Sequence, residues 1–109
     1  MEKLRIYQEA LLLIKEIYIV TGTNIELKRD FSLCDQIRRA SVSILSNIAE
    51  GYMRSGRQYK SYLKISSGSA NEVVAQLQVI SVVYTINTIG LQESFKILGR
   101  KINAFSKTF

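Results

Sequence analysis

Histidine is absent from all 109 residues. Its absence removes Ser-His-Asp and Cys-His catalysis, the Glu-x-x-His motif of di-iron bundles, histidine-ligated zinc and the histidine-dependent site of helical ribonucleases. There is no glycine-rich phosphate loop. Any reaction would rest on carboxylates, lysines, tyrosines or serines alone, so no enzyme activity, metal or cofactor is expected. Proline and tryptophan are also missing, and glycine occurs six times. Without proline, nothing removes a backbone donor inside a helix or clashes with its preceding turn, so long unbroken helices are favoured. The single cysteine, Cys34, excludes an intrachain disulfide and suits a small buried hydrophobe. The apolar run near the start is interrupted by Lys15 and Glu16, and no small-residue cleavage site follows. A cytoplasmic protein is expected.

What is present is a 47% hydrophobic chain of single-domain length. Apolar residues recur every three or four positions in four segments. The first helix is expected from about Lys3 to Val20, with Leu4, Tyr7, Leu11, Ile14 and Tyr18 as its stripe, widened by Ala10, Leu13 and Ile17. Gly22 would stop it. The stretch Thr23–Phe31 would be a loop, and Asp30 or Ser32 would cap a second helix carrying Leu33, Ile37, Ala40, Ile44 and Ile48. Ser55–Gln58 has the form of a capping box. It opens a long third helix with the seam Tyr59, Leu63, Ser66, Ala70, Val73, Leu77, Ile80 and Tyr84. Thr88–Gly90 would turn into a fourth helix carrying Phe95, Leu98, Ile102, Phe105 and Phe109. Long amphipathic helices with short connections predict an all-α, antiparallel up-down four-helix bundle in one domain, residues 1–109.

Between Val73 and Gln92 no residue is charged. A membrane span fits poorly, because Gln76, Gln78, Ser81, Thr85, Asn87 and Thr88 are spread through the segment. A helix of a small bundle shows one face to water. A helix uncharged all round therefore predicts a second buried surface, most simply a subunit interface.

The second helix has the opposite peculiarity. Arg39, Ser43, Asn47 and Glu50 lie along one side of it, and Ser69, Glu72 and Gln76 along the third helix. A buried glutamate is costly unless paired and hydrogen-bonded. Arg39 can supply a bidentate partner for Glu50 or Glu72, with Asn47 and Ser69 filling the remaining valences. As structure, this network of Arg39, Ser43, Asn47, Glu50, Ser69 and Glu72 would fix helix register. As chemistry, Glu50 and Glu72 would form a catalytic pair, but no nucleophile accompanies them. If the network is buried, Glu50→Ala would destabilise the fold by roughly 3–5 kcal/mol.

These residues also carry a resemblance. Gln36, Arg38, Arg39 and Ala40, then Ser43 with Asn47–Gly51 (NIAEG), then Gly68, Ser69 and Glu72, are similar to the pattern of the four-helix-bundle family encoded in intervening sequences of 23S ribosomal RNA genes, also labelled the S23 ribosomal protein family. That family includes the accessory protein of diversity-generating retroelements. The resemblance spans nearly the whole chain. It lacks the proline common before helix 2 and the tryptophan frequent in helix 1. It implies a ring-like homo-oligomer, a pentamer. For the retroelement branch it implies nucleic-acid binding and a reverse transcriptase partner.

Charge points the same way independently. There are 15 basic and 9 acidic residues, a net charge of +6. From Arg38 to Lys64 the basic residues Arg38, Arg39, Arg54, Arg57, Lys60 and Lys64 stand against Glu50 alone, and Lys96, Arg100, Lys101 and Lys107 follow in the last helix. In a monomer this would be solvated surface. In a ring it becomes a belt of charge suited to the phosphates of RNA or DNA. Arg38, Arg54, Arg57, Lys60, Lys64, Lys96, Arg100 and Lys101 are the candidate contacts, with Tyr52, Tyr59 and Tyr62 as candidate stacking rings. The alternative is a ring scaffold for a protein partner.

Overall fold

The computed structural model describes residues 1–51 and 54–109. Among them are five α-helices and no strand: α1 (Glu2–Thr23), α2 (Ile25–Lys28), α3 (Phe31–Gly51), α4 (Gly56–Tyr84) and α5 (Ile89–Ser106). The molecule is a rod of 44 × 21 × 19 Å. Its length is that of α4, whose 29 residues rise about 1.5 Å each. Helix α1 packs on α3 and α5, and α4 packs on the same two; no contact joins α1 to α4 or α3 to α5 among the described residues. The residues that meet run in opposite order along neighbouring helices. Asp30 meets Tyr84, Ser43 meets Ser69 and Ile44 meets Ser66 between α3 and α4. Ser67 meets Gly99, and Tyr59 meets Phe105 and Phe109, between α4 and the chain that follows it.

The long seam of α4 is the spine of the core. Tyr59, Leu63, Ser66, Ala70, Val73, Leu77 and Ile80 are all buried, and Tyr84 is half-buried. Ile37, Ala40, Ile44 and Ile48 face them from α3, and Phe95, Leu98 and Ile102 from α5. In α1 the expected stripe is corrected. The buried line is Ile6, Ala10, Ile17 and Thr21, whereas Leu4, Leu11 and Tyr18 are exposed. Helix α1 has apolar residues over most of its circumference, so periodicity by itself could not say which strip faces inward.

Three boundaries also differ. Gly22 does not stop α1, which continues to Thr23. Asn24 ends it and caps α2, its side chain accepting from the Leu27 amide at 2.9 Å. The expected loop coils here because α2 drives Leu27 into complete burial. Asp30 rather than Ser32 caps α3, accepting from the Leu33 amide at 3.1 Å. The other carboxylate oxygen of Asp30 accepts from the Tyr84 hydroxyl at 2.6 Å, closing one end of the rod. That bond holds the Asp30 carboxyl below its ordinary range and pushes the Tyr84 phenol up to about 12. Both partners therefore keep the protonation the bond needs across neutral pH. The break before α5 falls at Thr85–Thr88, not Thr88–Gly90. Thr85 takes the left-handed C-cap conformation at φ 55°, and buried Thr88 donates to the Leu77 carbonyl at 2.9 Å.

Candidate nucleic-acid interface

The +6 charge is not evenly spread along the rod. One end comprises residues 1–10, 48–51, 54–66 and 98–109, on one side of the level where Ile44 meets Ser66. It holds nine basic residues (Lys3, Arg5, Arg54, Arg57, Lys60, Lys64, Arg100, Lys101 and Lys107) against Glu2, Glu9 and Glu50. The remainder holds six of each sign. The entire excess sits at one end, and the tertiary structure puts it there.

Within that end, α4 and α5 carry most of it. Ser67 Oγ donates to the Gly99 carbonyl at 3.1 Å, and a Cβ on Gly99 would stand 3.3 Å from that of Ala70. A side chain at this position would crowd Ala70 by a few tenths of an ångström, so glycine eases the close approach of the two helices. On the outward side of this contact, helical spacing sets Arg57, Lys60 and Lys64 along α4 beside Lys96, Arg100 and Lys107. Lys60 and Lys96 are half-buried, and the other four are exposed. Arg57, Lys60, Lys64, Lys96 and Lys107 make no ion pair among the described residues. Arg100 has a loose one with Glu93, at 3.7 Å.

The other expected contacts lie elsewhere. Arg38 is at the neutral end, where its Nε donates to Thr21 Oγ1 at 2.9 Å and its guanidinium lies 4.6 Å from the Tyr18 ring centroid. It ties α3 to α1. Arg54 pairs with Glu50 and covers the Tyr62 ring, on the α3 side of α4. Lys101 turns toward α1 and bonds both carboxylate oxygens of Glu9, at 2.9 and 3.2 Å. Tyr52 lies outside the described residues. Lys107, not among the expected contacts, joins the face as the C-cap of α5, seven residues after Arg100.

The polar network is half as expected. Ser43 and Ser69 hydroxyls meet at 3.0 Å, and Asn47 Nδ2 donates to Ser43 Oγ at 3.0 Å and to its carbonyl at 2.8 Å. Ser66 Oγ donates to the Ile44 carbonyl at 2.6 Å. Serines thus cross-link α3 and α4, and Asn47 braces Ser43 from within α3. The ionic residues do not take part. Arg39 pairs with Asp35 at 3.3 Å, with both side chains more than half exposed. Glu50 pairs with Arg54, and Glu72 is exposed in a shallow groove with Gln36, Arg39, Ser43 and Gln76. Charged side chains of this length reach water more cheaply than they pair in a core. Since Ser43 meets Ser69, Glu50 and Glu72 lie ten residues apart along the rod, about 15 Å. They form no catalytic pair. Glu50→Ala is therefore expected to cost no more than the ~0.2–1 kcal/mol typical of exposed ion pairs, in place of the larger loss a buried network would give. Thermal melts measure it, and a loss above about 2 kcal/mol would return Glu50 to a buried role.

The architecture and the residues that build it agree with a family model described as 23S rRNA-intervening sequence protein, which matches residues 2–108. The chain belongs to that family. No curated protein and no solved structure gives a significant match. The family description points loosely toward RNA and assigns no reaction. Among the described residues no group of histidine, cysteine or acidic side chains could hold a metal ion, and no helix is long and apolar enough to cross a membrane.

Proposed function

We propose that this family member is a non-enzymatic accessory protein that binds RNA or DNA by its phosphate backbone, as a ring-like homo-oligomer of antiparallel up-down four-helix bundles in the cytoplasm. The observation that carries the reading is the placement of Arg57, Lys60 and Lys64 beside Lys96, Arg100 and Lys107 on one outward face, all but Lys96 at the end that holds the excess charge. Cations on helices contact phosphates without reading bases, so binding would be insensitive to sequence.

Oligomerisation is supported by two exposed apolar strips. One lies on α1, with Leu4, Leu11, Leu12, Tyr18 and Ile19; the other on α4, with Ile65, Val79, Val82 and Val83. Helices α1 and α4 do not touch, so these strips are on opposite sides of the rod. A two-fold dimer would need one self-complementary patch, whereas two unlike patches suit head-to-tail contact that closes into a ring. The same strips favour the second reading, a scaffold ring whose partner is a protein such as a reverse transcriptase. Capture that survives nuclease treatment would support it.

The test is fluorescence anisotropy with labelled RNA and DNA at several salt concentrations. Affinity should fall steeply with salt, because bound phosphates release counterions. Reversing Arg57, Lys60 and Lys64 to glutamate should weaken binding at least about 100-fold at 50 mM salt and equally for all sequences, with the oligomer unchanged. Absence of binding at low salt would sink the proposal. Full retention by the triple variant would move the contact to other residues.

A further inference from the structure

Resting on the phosphate-binding reading, the structure assigns the α4/α5 face to double-stranded nucleic acid rather than to single strands. Proteins that hold single strands combine cations with aromatic rings on which successive bases stack. Among the described residues, the rings near this face form no platform for successive bases: Phe109, at its end, is the one exposed ring, at 46%. Tyr59 is buried and packs edge-on against Phe105 and Phe109, with ring centroids 6.1 and 5.0 Å apart, and Phe105 meets Phe109 edge-on at 5.3 Å. Tyr62 turns toward α3 with Arg54 5.0 Å from its ring centroid. Phe95 is fully buried. Beyond these, Tyr7 and Tyr18 belong to α1, Phe31 is exposed at the opposite end of the rod where α3 begins, and Tyr84 is bonded to Asp30.

What the face does offer is two straight rows of cations. Arg57 to Lys64 spans about 10 Å along α4, and Lys96 to Lys107 about 16 Å along α5 and its C-terminal continuation, at 1.5 Å per residue. Packed helices hold such rows about 8–10 Å apart. Hydrogen bonds and close backbone packing fix that separation. A duplex presents two rigid ridges of phosphate, at twice the linear charge density of one strand, so two rigid rows can engage it together. A flexible single strand brings fewer charges to the rows, and beyond Phe109 its successive bases would find no run of rings to rest on.

The experiment compares the wild-type protein on labelled 20-mer duplexes of RNA and of DNA with each of their separated strands, by anisotropy at a fixed salt concentration and then across salt. Duplex affinity is expected to exceed that of either strand by at least about tenfold. The duplex salt slope should approach no more than about −5 per protomer, the limit for six neutralised phosphates. Single strands bound within tenfold of the duplex would overturn the duplex assignment while leaving phosphate binding intact. No binding of either form would overturn both. As an independent readout, Tyr62→Leu and Phe109→Leu should leave all affinities unchanged; a selective loss of single-strand binding in either variant would reveal a stacking platform and overturn the assignment.

Discussion

In size-exclusion chromatography coupled to light scattering, the wild-type protein is expected to elute well above the 12.4 kDa of one chain, at five times that mass for a pentamer, and the double variant Val79→Asp/Val82→Asp as a monomer. Val82 is 82% exposed and Val79 46% exposed in the single chain. Aspartate at either position costs the fold little, because the carboxylate remains in water. At an apolar subunit contact each would be desolvated without a partner, which costs several kcal/mol per ion. A closed ring repeats that penalty at every contact, so loss of assembly should be complete at micromolar protein. A wild-type monomer would refute the oligomer. A double variant that keeps the wild-type mass would place the interface on other residues, and Leu11→Asp on α1 would then be the variant to measure.

Phe95→Ala should be the most damaging single change to the fold. Phe95 is the largest fully buried side chain among the described residues, on α5, which packs against α1 and α4. Truncating it removes most of an aromatic ring from a site where surrounding helices can only partly collapse. Such changes cost about 3–5 kcal/mol, a large part of the 5–15 kcal/mol typical of a whole domain. Urea unfolding at fixed protein concentration measures it; the concentration must be held because assembly adds to apparent stability. A loss under about 1.5 kcal/mol would mean that α5 is loosely held. The result bears on function, since Lys96, Arg100 and Lys107 are aligned with the α4 cations only while α5 stays docked.

Much of the fold was legible in local spacing. The α4 seam from Tyr59 to Ile80 repeats in steps of three and four, and a helix can satisfy that pattern in only one rotational setting. The Ser55 cap was legible too: its side chain accepts from the Gln58 amide at 3.4 Å. Helix α1 was not, because Leu4, Leu11 and Tyr18 are as apolar as Ile6, Ala10 and Ile17. Only the neighbours on α3 and α5 select the strip that is buried. The Arg38–Thr21 and Tyr84–Asp30 bonds left no trace in the sequence, since they join residues 17 and 54 positions apart. Arg39 and Glu50 misled for a related reason: alignment on one side of a helix says that residues share a direction, not whether that direction leads to the core or to water.

By itself, then, the sequence determined the four long helices, the excess of positive charge and the exclusion of histidine chemistry, all of which depend on composition or on neighbours within a turn or two. The tertiary structure decided where that charge acts. Residues 57–64 and 96–107 share a face because Gly99 lets α5 pack closely against Ser67 and Ala70 of α4. Which helices become neighbours, and at what register, is set by burying the whole set of apolar seams at once, and no single segment contains that information.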